Sequence, residues 1–192
     1  MTHMNFRQST KFFALALATA SIGASVQANH HAMANPSVGG AEMFATKTIA
    51  ENASTAPNLT TLVAAVKAAG LVETLMSAGP FTVFAPTNAA FAKLPAGTVE
   101  TLVKPENKAT LTSILTYHVV AGKVTSKDIA KAIKKGRGKA TFNTVAGGKL
   151  TARMSGKNLV LTDAKGGMST VTTANVMQSN GVVHVIDSVL LP

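Results

Sequence analysis

The stretch Asn180-Gly-Val-Val-His-Val-Ile-Asp-Ser-Val-Leu-Leu-Pro192 leaves this chain few options. Asn180-Gly181 is a turn signal, because both residues tolerate positive φ. Val182, Val183, Val185, Ile186, Val189, Leu190 and Leu191 follow, interrupted only by His184, Asp187 and Ser188. A strand this apolar on both faces belongs at the centre of a sheet. His184 and Asp187 then need partners and take structural places, since a buried polar group without one is costly.

Upstream, the hydrophobic period is helical in the first half and two-residue in the second. A short helix is expected near Met43–Glu51, followed by a polar connector over Asn52–Asn58. Leu59, Leu62, Val63 and Val66 recur at helical spacing, and Gly70 is a natural stop. Leu71–Met76 reads as a second short helix closed by Gly79-Pro80. Phe81-Thr-Val-Phe-Ala85 alternates as a strand, Pro86 ends it, and Thr87 or Asn88 caps the helix that carries Phe91 and Leu94. Asn107 caps the next helix, with Leu111, Ile114, Leu115 and His118 on one face. Tyr117 and His118 therefore fall where that helix feeds the strand Val119-Val120. Ser126 caps a helix to about Lys135, stopped by Gly136. Beyond it, Thr141–Val145, Leu150–Met154, Leu159–Thr162 and Thr170–Ala174 read as strands separated by glycine-containing turns. Helices first and strands second imply an α+β fold with an antiparallel sheet.

Three blocks resemble the fasciclin-type domain, an adhesion-like extracellular module. Gly79-Pro-Phe-Thr-Val-Phe-Ala-Pro-Thr-Asn-Ala-Ala-Phe91 is similar to its opening block, Tyr117-His118-Val119-Val120 to its tyrosine–histidine block, and Asn180–Pro192 to its closing block. Order and spacing agree over Val38–Pro192. The resemblance implies a wedge-shaped antiparallel β-sandwich with helices packed around it, and makes Asn88 a structural capping residue. It also implies a non-enzymatic module that contacts cell-surface or extracellular-matrix components. Animal members have integrin-contact segments attributed to the tyrosine–histidine block and to an acidic Asp-Ile-Met-type segment before the last strand. Tyr117 and His118 match the first. Asn175-Val176-Met177 stands at the second, with Asn in place of Asp. Tyr117 and His118 are thus candidate binding residues, and candidates for the core as well.

The chain has 192 residues and no cysteine. That excludes thiol catalysis, disulfides and cysteine-based zinc sites, and leaves one domain's worth of sequence with room for a core. Arg7 and Lys11 precede the apolar run that starts Phe12-Phe-Ala-Leu-Ala-Leu-Ala18, and Val26-Gln27-Ala28 fits a small-x-small cleavage site. Ala32-Met33-Ala34 is an alternative site. The expected organisation is a signal peptide over 1–28, a flexible segment over 29–37 and the domain over 38–192. The mature protein is expected to be secreted or periplasmic, with no transmembrane segment, because the apolar run is only about 15 residues.

The formal net charge is +10. Removing Arg7 and Lys11 leaves +8. Lys123, Lys127, Lys131, Lys134, Lys135, Arg137 and Lys139 surround one acid, Asp128. Lys127, Lys131 and Lys135 are four apart and share a helix face. They form a candidate surface for acidic polysaccharide, lipopolysaccharide or extracellular DNA, or else a plain solvated face. Specific nucleic-acid recognition is not expected, because no aromatic residues interleave the charges for base stacking.

Signatures of chemistry are few. Ser188, His184 and Asp187 imitate a catalytic set, but the chain has no Gly-x-Ser-x-Gly elbow, and strand alternation would point neighbouring members to opposite faces. Metal-binding and phosphate-cradling motifs are missing from the domain, so no cofactor is expected. Cleavage after Ala28 would expose Asn29-His30-His31, whose amine, backbone amides and His31 imidazole suit square-planar Cu(II) or Ni(II). Asn52 and Asn58 begin Asn-x-Ser/Thr sequons. The alternative to a contact module is a periplasmic or extracellular small-ligand binding protein. A deep apolar pocket would favour the binder, and a closed core with a basic face the contact module.

Overall fold

Two strands organise the fold, β3 (Phe81–Pro86) and β9 (Gly181–Ile186), in a computed structural model that describes residues 35–192. The signal peptide, both cleavage sites and His31 lie outside the described residues. Strands β3 and β9 run parallel, in register from Phe81↔Gly181 to Pro86↔Ile186. Strand β8 (Met168–Gln178) covers the other edge of β9. Every residue of β9 is buried, as its unbroken apolar character requires.

The sheet has seven strands in the order β4 (Val119–Ala121), β3, β9, β8, β7 (Asn158–Thr162), β6 (Lys149–Ser155), β5 (Lys139–Asn143). Every neighbouring pair is antiparallel except β3–β9. A parallel pair cannot be joined by a hairpin, and the long chain between β3 and β9 supplies the crossover it needs. The sheet curls until its two ends meet: Val120 bridges Thr144, and the Val145 amide donates to the Val119 carbonyl at 2.8 Å. A separate hairpin of β1 (Ser37–Val38) and β2 (Ala41–Glu42) precedes the helices. Its turn, Gly39-Gly40, has φ of 62° and 88°, where glycine alone is free of strain. The segment expected to be loose through residue 37 thus ends in a strand at Ser37.

The helices are α1 (Ile49–Thr55), α2 (Thr60–Ala69), α3 (Val72–Met76), α4 (Asn88–Ala92), α5 (Thr98–Leu102), α6 (Lys108–Tyr117) and α7 (Ser126–Lys135). The first begins later than expected, because Thr48 and Glu51 form a reciprocal capping box. It also runs through Asn52, placed by the sequence reading in a connector. Thr87 caps α4 through the Ala90 amide, and Thr125, not Ser126, caps α7. Asn107 precedes α6 but makes no cap bond; its amide donates to the Thr101 carbonyl instead. Asn88 caps a helix other than its own. Its Oδ1 accepts from the Thr61 amide and its Nδ2 donates to the Pro57 carbonyl and Thr60 Oγ1, which ties α4 to the start of α2.

Alternate residues of β3 and β9 face opposite layers. Val83, Ala85, Val183 and Val185 join a core with α1, α2, α4 and α6. Phe84 and Ile186 face a second core with Leu150, Leu161, Leu190 and the buried side of α7, Ile129 and Ile133. His184 stacks on Phe84 with ring centroids 5.6 Å apart.

Candidate functional site

The helix-side core does not close. A cavity of about 280 Å³ lies between the helices and the sheet. Its floor is Val83, Val176 and Val183 of the strands, and its walls include Leu62 and Val66 of α2 and Leu75 of α3. The valines on this face of the sheet leave space, and Phe81 and Phe84 border it as well. Met76 and Val145, 48% and 49% exposed, carry the lining out to the surface. The polar side chains of the lining are mostly spent within the fold. Thr116 donates to the Thr112 carbonyl. Asn52 accepts from the Phe44 amide and donates to the Phe44 carbonyl and to Gln178. A wall of this kind removes an apolar body from water, at about 0.8 kcal/mol for each buried methylene.

His118 lines this cavity, and Tyr117 is packed in the second core. Tyr117 is fully buried. Its hydroxyl donates to the Lys149 carbonyl at 2.6 Å and accepts from the Ala164 amide at 3.0 Å. Burial raises its pKa, with the Asp163 charge adding to the rise and the Ala164 bond opposing it. His118 is 2% exposed. Its Nδ1–H donates to the Ile114 carbonyl at 2.8 Å and its Nε2 accepts from the Leu190 amide at 3.0 Å. Burial lowers its pKa to about 4, against the opposing pull of the Ile114 carbonyl and Asp163, so the ring is neutral at pH 7. The backbone partner at each nitrogen fixes that tautomer.

His184 is likewise engaged at both nitrogens: Nε2–H donates to the Val124 carbonyl at 3.0 Å, and Nδ1 accepts from the Asn175 amide at 3.4 Å. Burial holds its pKa below the ordinary histidine value. Asp187 turns away from it. Its Oδ1 accepts from the Thr170 amide at 2.8 Å and its Oδ2 lies 3.5 Å from Lys93 Nζ. Burial disfavours the carboxylate, but the Thr170 amide, Lys93 and the Ser188 and Ser169 hydroxyls outweigh it, and the pKa falls below the usual range. Because β9 ends at Ile186, alternation no longer separates Asp187 from Ser188. The Ser188 hydroxyl lies 3.2 Å from Asp187 Oδ1 and accepts from Lys93 Nζ at 3.2 Å. Lys93 is exposed, ion-paired with Asp187, and donates to Ser188.

Lys127, Lys131 and Lys135 are exposed on α7, opposite Ile129 and Ile133. Asp128, the acid of this helix, is spent in the capping box, where the Thr125 hydroxyl and amide hold its pKa down. Among the described residues, the ion pair within 4.0 Å is Lys93–Asp187, so the α7 lysines are unpaired. The Asn175-Val176-Met177 segment serves the fold. Asn175 has φ 59°, at an irregularity of β8; its Oδ1 accepts from the Ser126 amide and its Nδ2 donates to Ser126 Oγ, holding the start of α7. Val176 is buried beneath it. The Asn52 sequon is closed too, since Asn52 is buried and fully bonded.

Of the residues that shape the cavity's polar edge, Asn52 reads in the sequence only as a sequon in a connector, and Gln178 carries no signal. Both lie beside turn-rich polar stretches, and the signal that finds them, an amide bonded across 126 positions, exists only in the folded chain.

The Fasciclin domain family profile matches residues 57–192, and this chain belongs to that family. It is 50% identical over 145 residues to Protein sll1483 of Synechocystis sp., covering 76% of this chain and 73% of that one. It is 42% identical over 149 residues to Immunogenic protein MPB70 of Mycobacterium bovis, covering 75% and 68%. It is 38% identical over 149 residues to Cell surface glycolipoprotein MPB83 of the same organism, covering 75% and 60%. Among solved structures, the FAS1 domain pair of the insect cell adhesion molecule fasciclin I superposes with a TM-score of 0.66 at 22% identity, over 76% of this chain and 51% of that one. That likeness is one of fold, an α+β arrangement of helices around one large sheet.

Proposed function

We propose that this fasciclin domain is an extracytoplasmic binding module that holds an apolar small molecule between its helices and its sheet. The observation that carries the reading is the 280 Å³ cavity, lined by valine and leucine and open to the surface at Met76 and Val145. Its volume is close to the lower end of the roughly 300–1,000 Å³ of small-molecule sites. The signal-like N-terminus and the likeness to a cell surface glycolipoprotein support a place outside the cytoplasm. Protein purified from its own host under native conditions, then extracted with organic solvent, should yield one apolar compound at near one equivalent per chain. Extracts indistinguishable from those of an unrelated exported protein would count against the reading.

A second reading has its own observation. The unpaired lysines of α7 support a contact role toward cell-surface or matrix components, with acidic polysaccharide as the matching chemistry. Retention on an immobilised acidic polysaccharide should fall as salt rises, and should fall again in the Lys127→Gln, Lys131→Gln, Lys135→Gln triple variant at constant fold. Retention that ignores both changes would remove this role.

A further inference from the structure

Among the buried polar side chains that line the cavity, one has a donor not spent within the fold. Asn52 is pinned by the backbone of Phe44: its Oδ1 accepts from the Phe44 amide at 3.1 Å, and its Nδ2 donates to the Phe44 carbonyl at 2.7 Å. That orientation leaves the second Asn52 N–H facing Gln178, so the atom of Gln178 that meets it is the carbonyl oxygen, Oε1. The other end of the same amide, the Gln178 NH₂ group, then makes no hydrogen bond to any described residue. Gln178 is 6% exposed and lines the cavity. The bond to Asn52, itself pinned by the Phe44 backbone, sets the orientation of the Gln178 amide.

We propose that the Gln178 amide nitrogen is a specificity-determining group that selects, among apolar molecules, those carrying a neutral oxygen acceptor such as a ketone, ether or hydroxyl. This rests on the reading of the cavity as a ligand site. The group is a donor without charge. The cationic lining residue, Lys67, is exposed at the rim, so a carboxylate finds no counter-ion inside. His118 and Thr116 do not compete for the oxygen, because their donor hydrogens are given to the Ile114 and Thr112 carbonyls. The matching ligand is an apolar skeleton with an oxygen set where β8 reaches its last residue.

The test uses two probes of matched skeleton, octane and octan-2-one, each displacing an environment-sensitive dye. The protein has no tryptophan, so its own fluorescence does not interfere. The quantity read is the ratio of the two dissociation constants in the wild type and in Gln178→Met, which cancels the different water solubilities. The ratio should move against the ketone by roughly fivefold in the variant, the scale of one net hydrogen bond. An unchanged ratio overturns the role of Gln178 and leaves the cavity reading standing. Failure of both probes to bind the wild type overturns the cavity reading itself. If Gln178→Met does not fold, the wild type decides: its Gln178 side-chain amide resonance should shift with octan-2-one and not with octane. A resonance that ignores bound ketone ends the proposal.

Discussion

The two faces of β3 and β9 are packed by different rules. Toward α7 and the curled strands, they offer Phe84, His184 and Ile186, and the layer is filled by fully buried leucines and Tyr117. Toward α1, α2 and α6 they offer Val83, Ala85, Val183 and Val185, and the layer keeps an opening. One pair of strands thus supports a solid core that holds the fold and a looser one that can hold something else. The difference lies in side-chain volume at alternate positions, not in hydrophobicity, since both faces are apolar.

The same substitution made on both sides should expose that difference most strongly. Leu161→Ala in the filled core removes contacts on every side and should cost about 4 kcal/mol, near the upper range for this change. Leu62→Ala, beside existing empty space, should cost about 2 kcal/mol, because fewer neighbours lose a partner. Urea melts of the two variants measure the gap, and equal costs would mean that the two cores are packed alike.

Overpacking is the reverse test. Ala152→Leu, at a fully buried site of β6 in the filled core, should destabilise by roughly 1–3 kcal/mol. Val83→Phe, aimed into the cavity, should stay within about 1 kcal/mol of the wild type, since new apolar contact offsets the strain. A larger loss for Val83→Phe than for Ala152→Leu would reverse the assignment of which side has room.

His118 joins the two regions, lining the cavity while accepting from the Leu190 amide of the filled core. Its folded pKa of about 4 lies below the ordinary histidine value of 6.5. The unfolded chain therefore takes up the proton first as pH falls. Stability from the neutral ring is complete above the unfolded value and is lost as pH falls from about 6.5 toward about 4. At pH 5 the loss from this residue is about 2 kcal/mol relative to pH 7.5. His184, also shifted down by burial, acts in the same direction. His118→Gln should flatten the slope between those pH values; an unaltered slope would place the titrating group elsewhere.

Much of this was legible from residues. The apolar run after Asn180-Gly181 could only be a central strand, and it is. The Pro86-Thr87 corner and the helix feeding Val119 were readable from capping and period. What was hidden was long-range. The parallel partnership of β3 and β9 depends on a connection no local pattern encodes. Asn88 looks like the cap of its own helix but serves α2, because its reach across space is invisible in a linear reading. Asn52 reads as connector polarity, yet it is buried by bonds to Phe44 and Gln178. The cavity is harder still, because it is set by volume that valines and alanines from many elements together do not fill.

The central claim, that the looser core is a binding site, meets its most direct test in one titration. An uncharged environment-sensitive dye is added to the wild type and to Val83→Phe, with thermal melting followed in parallel. The account predicts saturable binding of one dye per wild-type chain, and its loss in Val83→Phe at a melting temperature close to wild type. Equal binding to both folded proteins would place the dye outside the cavity and contradict the account.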